Sequence, residues 1–261
     1  MTLPTSHDTV QLAGGIPIPL IGFGTWQLEG ADAYNGVRAA LDVGYRHIDT
    51  ATGYANEDRV GAAIRDSGLG RDKVFITTKC PPDHAGRARE TLEESLRALG
   101  VDFVDLWLVH WPPNGEATPQ MWKLFVEALE QGRTRAIGVS NYSIAQIDEL
   151  IEATGQAPAL NQIPWSPFLY DEDEAARLAS RGVVLEGYSP LKRSPLGDPV
   201  VGGIAAAHGK TPAQVILRWH IERRFVVIPR SARRERIEEN FDLFDFELNE
   251  QELRQLDALA A

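Results

Sequence analysis

Residues 74–109 read VFITTKCPPDHAGRARETLEESLRALGVDFVDLWLV. The stretch opens on an apolar, β-branched run, Val74-Phe75-Ile76-Thr77, and closes on another, Val104 to Val109. Between them small and apolar residues recur at helical spacing, Ala88-Leu92-Ser95-Leu96-Leu99, with Gly100 as a stop signal. Strand, helix and strand in that order predict a parallel pair with a helix packed outside it.

The same unit repeats in both directions. Strand-like runs fall at Leu20 to Gly24, Arg46-His47-Ile48, Ala136 to Val139, Ala159 to Ile163, Val183 to Leu185 and Phe225 to Ile228. Helical spacing returns in Met121-Leu124-Phe125-Ala128-Leu129. Thr118-Pro119 and Thr211-Pro212 read as N-cap then first helical residue, and Gly68, Gly132 and Gly182 as stops. Eight strands, each followed by helix, predict an α/β fold of the closed (β/α)8 or TIM-barrel type. The segment Val10 to Ile18, turned by Gly14-Gly15, reads as a β-hairpin closing the barrel's N-terminal mouth. The length suits one barrel, since this architecture runs to ~250 residues as a unit. Residues 1–261 are expected to form that single domain.

Composition narrows the function. With 26 Lys and Arg against 37 Asp and Glu, the net charge is −11, which repels nucleic-acid backbones and anionic lipid. The lone Cys80 permits no intramolecular disulfide and, with six unpaired histidines, no zinc site; no metal is expected. No apolar run approaches the ~18 residues that span a bilayer, and Met1 to Asp8 is polar, unlike a secretion signal. A cytoplasmic monomer is the expectation. Two near-motifs fail. Gly22-Phe23-Gly24-Thr25-Trp26-Gln27 lacks the third glycine of a dinucleotide fingerprint, and Gly203 to Thr211 has P-loop glycines one residue too far apart.

The strand ends carry the chemistry. In order they are Thr25-Trp26, Asp49, Lys79, His110-Trp111, Ser140-Asn141, Gln162, Tyr188 and Arg230. In a barrel all of them face the C-terminal rim, where barrel active sites lie. Asp49, Tyr54, Lys79 and His110 come from adjacent strands. A tyrosine titrates near ~10, so it donates a proton at neutral pH only if its anion is stabilised. A lysine ammonium within reach does that, a carboxylate keeps the lysine charged, and a neutral imidazole can direct an N–H at the same oxygen. Such a group protonates a carbonyl oxygen while hydride arrives at the carbon.

The motifs Ile48-Asp49-Thr50-Ala51 through Tyr54-Ala55-Asn56-Glu57, Thr77-Thr78-Lys79, Asp105 to Pro112, Ile137-Gly138-Val139-Ser140-Asn141, Tyr188-Ser189-Pro190-Leu191 and Ile228-Pro229-Arg230-Ser231, with Arg236, Glu239 and Asn240, resemble the aldo-keto reductases from about Val10 to Leu259. The likeness is strongest to the bacterial 2,5-diketo-gluconate reductase-like branch. The resemblance implies Tyr54 as general acid, Lys79 tuning it, Asp49 pairing with Lys79, and His110 orienting a small carbonyl substrate. It implies Ser140, Asn141 and Gln162 on the nicotinamide carboxamide and Tyr188 stacked on the ring. Gly24 and Thr25 would lie beside the cofactor, and Ser189 and Leu191 near its pyrophosphate.

Arg230, Arg233, Arg234 and Arg236 open the last barrel helix. Cations there oppose the helix dipole unless an anion sits among them. By the resemblance Arg230, Ser231 and Arg236 take a ribose 2′-phosphate while Glu239 and Asn240 contact the adenine, which favours NADPH and leaves room for some NADH use. Arg stands at 230 where the family more often has Lys, and Arg234 reads as a solvated face. Trp26 and Trp111 would wall the substrate pocket. Cys80-Pro81-Pro82 and Ile163-Pro164-Trp165-Ser166-Pro167 depart from the family pattern, and the chain stops at Ala261 just past the helix Glu250 to Leu259. A wide, weakly selective pocket is expected. Two other classes stay open: a Schiff-base lyase using Lys79, and a cofactor-binding regulatory protein of the same fold.

Overall fold

The computed structural model describes residues 5, 6 and 8–260; the polar start at Met1 to Asp8 and the end at Ala261 lie partly outside these. A hairpin of β1 (Thr9–Leu12) and β2 (Ile16–Pro19) comes first, turned by Gly14 and Gly15 at φ +80° and +74°, a region open to glycine. Then follow β3 (Phe23–Gly24), β4 (His47–Asp49), β5 (Phe75–Cys80), β6 (Val104–Val109), β7 (Thr134–Ser140), β8 (Leu160–Pro164), β9 (Val184–Tyr188) and β10 (Val226–Ile228), all parallel and paired in sequence order. A parallel bridge from Ile21 to Val227, with Gly22 N donating to Val227 O at 2.9 Å, joins the last strand to the first. The expected (β/α)8 barrel is present.

The connecting helices are α1 (Gly30–Val43), α2 (Glu57–Asp66), α3 (Ala88–Leu99), α4 (Pro119–Glu130), α5 (Ile144–Thr154), α6 (Glu172–Ser180), α7 (Pro199–His208), α8 (Pro212–Glu222), α9 (Arg234–Phe241) and α10 (Glu250–Asp257). One helix per strand is therefore too few: β9 and β10 are each followed by two. The Gly203 to Thr211 stretch is the end of α7 and the turn into α8, not a phosphate loop. Thr211 caps α8 in a capping box with Gln214, as its sequence predicts. Thr118 does not cap α4. It stands at φ +53° and makes no side-chain cap hydrogen bond.

Period two along the strands decides what the barrel encloses. Ile48, Ile76, Trp107, Val109, Ile137, Val139 and Val227 face outward and pack under the helices. Their neighbours face inward. At the N-terminal end these are Phe75, Leu106, Leu108, Ala136, Leu160 and Val226, sealed from below by Leu12 and Ile18 of the hairpin. Further along the same strands the inward positions turn polar: His47 and Asp49, Thr77 and Lys79, Gln162, Glu186. The apolar floor and the polar upper storey belong to one continuous filling.

Candidate active site

Asp49 closes β4, and the chain then turns through a 3-10 turn, Thr52–Tyr54, before α2. That turn is held by the buried Asn56, whose amide donates to the carbonyls of Thr25 and Leu28 at 3.0 and 2.9 Å while its oxygen accepts from Thr50 Oγ1 at 2.7 Å. Glu57 braces it from behind, accepting from Thr78 Oγ1 and Ser95 Oγ at 2.5 and 3.1 Å. Tyr54 is thereby fixed over the end of β5.

Lys79 is wholly buried, and its Nζ donates to Asp49 Oδ1 at 2.6 Å, to the Thr50 carbonyl at 2.9 Å and to Tyr54 Oη at 3.5 Å. Burial works against the Lys79 charge, but Asp49, Tyr54 and Glu186 outweigh it and hold the ammonium above its ordinary range. Burial pushes the Asp49 carboxyl up, and Lys79 pulls it back. Lys79 pulls the Tyr54 phenol down, as the pairing implies. The phenol is still raised above 10, because burial exceeds that pull. His110 stands edge-on to the Tyr54 ring with centroids 5.5 Å apart, and burial, then Lys79, lowers it to about 3, so its ring is neutral.

On the other side of the barrel mouth the polar groups interlock. Ser140 Oγ donates to the Gln162 carbonyl at 2.8 Å, and Asn141 Nδ2 donates to Ser140 Oγ at 2.9 Å and to His110 O at 3.2 Å. Tyr188 Oη donates to Asn141 Oδ1 at 2.9 Å. Gln162 Nε2 donates inward, to Asp49 Oδ2 at 2.9 Å and Glu186 Oε2 at 2.8 Å, which leaves its carbonyl oxygen as the polar atom it can offer to the rim.

A cleft of about 530 Å³ runs across these residues. Of those singled out in the sequence, Gly24, Trp26, Asp49, Tyr54, His110, Trp111, Ser140, Asn141, Gln162, Tyr188, Ser189, Leu191 and Arg230 line it. Lys79 lies beneath the lining. Thr25 is buried with its hydroxyl on the Asp49 carbonyl at 2.9 Å, so Gly24 and Trp26 border the cleft and Thr25 supports them. Ser231, Arg236, Glu239 and Asn240 stand beyond the lining, in and before α9. Ser231 Oγ accepts from Arg233 N at 3.1 Å, Glu239 accepts from Thr211 Oγ1 at 2.7 Å, and Asn240 is buried. Trp26 and Trp111 are 41% and 47% exposed, Trp111 being the most exposed large apolar side chain among the described residues, and both line the opening.

The sequence reading missed Lys192 and Arg193, which line the cleft after Leu191. Two adjacent cations on an acidic chain were the available signal. Among the described residues Arg193, Arg230, Arg233 and Arg236 form no ion pair, whereas Arg234 is taken up by Glu238 at 2.9 Å and Asp42 at 3.8 Å. Of the two departures, Trp165 is buried edge-on to Tyr170 and Phe225, and Cys80 is buried, so neither presents a side chain to the cleft.

The description "Aldo/keto reductase family" matches residues 20–261. The chain is 42% identical to morphine 6-dehydrogenase of Pseudomonas putida, covering 96% of this chain and 90% of that one. It is 39% identical to the methylglyoxal reductase DkgA of Escherichia coli, covering 95% and 91%. Among solved structures, an aldo/keto reductase from Brucella melitensis superposes with a TM-score of 0.93 at 41% identity, over 99% of this chain and 98% of that one. Sequence, barrel and rim agree: the chain belongs to the aldo-keto reductase family.

Proposed function

We propose that this chain is an NADPH-dependent reductase of aldehydes and ketones in which Tyr54 is the proton donor. The observation that carries the reading is the juxtaposition of Tyr54, Lys79 and His110 at the floor of a cleft that Lys192, Arg193 and Arg230 also line. The residues fit a dinucleotide. Gly24 borders the cleft, and a Cβ there would stand 3.1 Å from the Ile228 carbonyl, a close contact that leaving the position as glycine avoids. Arg193 and Arg230 offer charge along the cleft, and Arg233 and Arg236 offer it beyond, where a 2′-phosphate would need it. Ser140, Asn141 and Gln162 would hold the carboxamide, with Tyr188 against the ring, Ser189 and Leu191 beside the pyrophosphate, and Ser231, Glu239 and Asn240 toward the adenine end.

NADPH, when bound, supplies the hydride for the carbonyl carbon. Tyr54 supplies the proton for the oxygen. A phenol is protonated at neutral pH, and more so when buried, so the work of Lys79 falls on the anion left as the proton departs. Asp49 keeps Lys79 charged, and His110, neutral, aims an N–H at the substrate oxygen. Trp26 and Trp111 would admit small carbonyl compounds of varied shape, since their exposed faces enclose little. The accompanying reading is a monomer in a reducing compartment such as the cytoplasm.

The lyase alternative is weakened by Lys79 itself, whose ammonium hydrogens are engaged by Asp49, Thr50 and Tyr54, leaving a poor amine nucleophile. A purely regulatory role would leave the complete tetrad without use. The test is NADPH consumption with a panel of carbonyls including a dicarbonyl, for wild type and Tyr54→Phe. Turnover should fall about 10²- to 10⁴-fold in the variant, with NADPH affinity retained. Undiminished turnover in Tyr54→Phe overturns the assignment.

A further inference from the structure

Two carboxyl groups share one amide nitrogen in the middle of the barrel. Gln162 Nε2 gives one hydrogen to Asp49 and the other to Glu186, at 2.9 and 2.8 Å. Asp49 has Lys79 as its counter-ion. Glu186 has none of its own. It is wholly buried, its Oε1 lacks a hydrogen-bond partner, and His47 Nε2 lies 3.8 Å from that oxygen. His47 is itself wholly buried, edge-on to Phe75, with Nε2 3.0 Å from the Thr77 hydroxyl. Its ring fits because residue 22 is glycine: a Cβ there would stand 2.4 Å from Nδ1.

The titratable groups facing Glu186 are His47 and Asp49 from β4 and Lys79 from β5; β8 presents Gln162, and β10 beside it is Val226–Ile228, apolar throughout. One ammonium cannot balance two buried carboxylates, and an uncompensated charge at this depth is strongly disfavoured. A proton retained on the second carboxyl resolves the imbalance.

We propose that Glu186 is a positioning residue that acts as a neutral carboxylic acid beside a neutral His47, and that it keeps the Gln162 amide turned so that one N–H clamps Asp49 while the carbonyl oxygen serves the cleft. The idea rests on the reading of Tyr54, Lys79 and Asp49 as the proton-donating group. Burial, with Asp49 adding to it, pushes the Glu186 acid up to about 8, and burial lowers His47 to about 3, so the proton resides on the carboxyl at neutral pH. When that proton leaves, Gln162 bridges two anions and Lys79 is shared between them, which loosens its hold on Asp49 and Tyr54. The reaction gains a second, internal reason to fail at alkaline pH.

Carbon-13 NMR of the cofactor-free protein, labelled at glutamate carboxyls, is the direct test. One signal, absent from Glu186→Gln, should titrate near pH 8. In kinetics Glu186→Gln, which keeps the acceptor, should hold kcat at pH 7 within about threefold and erase the wild-type break near pH 8. Glu186→Ala should raise the NADPH dissociation constant and lower kcat, each about tenfold, because Gln162 loses its second anchor. A Glu186 signal ionised at neutral pH overturns the proposal. So does Glu186→Gln as impaired as Glu186→Ala, or Glu186→Ala with both constants unchanged. Should wild type fail to oxidise NADPH with any carbonyl, the functional reading falls, while the carboxyl titration and the Gln162 amide shift in Glu186→Gln still judge this one.

Discussion

The ammonium of Lys192 stands 4.6 Å from the centre of the Trp26 ring, so the loop after β9 touches the loop after β3. Both residues line the cleft, and their contact crosses its mouth. An exposed cation–π pair is worth about 0.5–1 kcal/mol, equivalent to a factor of about 2–5. Lys192→Ala should therefore speed NADPH release by about that factor in stopped-flow fluorescence. An unchanged release rate would show that the bridge does not gate the cofactor.

On the proposed reading, Arg230 and Arg236 would carry the choice between the two nicotinamide cofactors. Arg230 is held by a hydrogen bond to Gln27 Oε1 at 2.9 Å, whereas Arg236 has no ion pair among the described residues. A charge-assisted hydrogen bond contributes about 1.5–3 kcal/mol, so Arg236→Ala should raise KM for NADPH about 10- to 100-fold. KM for NADH should move little. Equal losses for both cofactors would remove Arg236 from 2′-phosphate recognition.

Removing the Lys79 ammonium should unfold as well as inactivate. Lys79→Met leaves Asp49 buried with only Gln162 as donor, and breaking a buried pair in this way costs about 3–5 kcal/mol. Adding Asp49→Leu to that variant should recover part of the loss in urea titrations, without recovering turnover. Additive destabilisation in the double variant would contradict the pairing.

Stability should peak near pH 6.5. Burial lowers His47 and His110 to about 3 and His220 to about 4, from 6.5. The unfolded chain takes up these protons first, so stability is lost as pH falls below 6.5 toward the folded values. Glu186 acts in the opposite sense. Its folded value of about 8 exceeds the ordinary 4.5, so its contribution is complete below 4.5 and lost as pH rises through 8. Each group contributes a slope of about 1.4 kcal/mol per pH unit inside its window. Urea midpoints from pH 4 to 9 check this, and a maximum above pH 8 would contradict it.

Gly22 earns its place by absence of a side chain. Gly22→Ala would press a methyl against His47 and against Ile228 Cγ2 at 2.9 Å, and overpacking of this kind costs about 1–3 kcal/mol. Thermal unfolding should register the loss, whereas an unshifted midpoint would mean that the His47 ring yields freely.

The barrel was legible because β-branched runs recur along the chain and several of the intervening helices show an apolar stripe or end on glycine. Gly100 and Gly182 do end their helices in the left-handed region. The rim was legible because Asp49, Lys79 and His110 sit where an apolar run meets a turn. Two features escaped for physical reasons. The extra helix α7 is apolar and small-residue-rich, Pro199–His208, with no clear stripe to distinguish it from a loop. The buried Glu186 and His47 lie inside short strands, where a charged residue reads as surface until the period-two register turns it inward. The cationic side of the cleft was only partly legible, since Lys192 and Arg193 follow a strand end and belong to no helix start.

The hairpin stopper has a consequence for the acid within. Leu12 and Ile18, both buried, lay an apolar layer beneath His47 and Glu186, whereas the polar rim and its cleft lie above them. A molecule seated in the cleft would therefore cover the polar side of these deepest ionisable groups, leaving only apolar packing on the other.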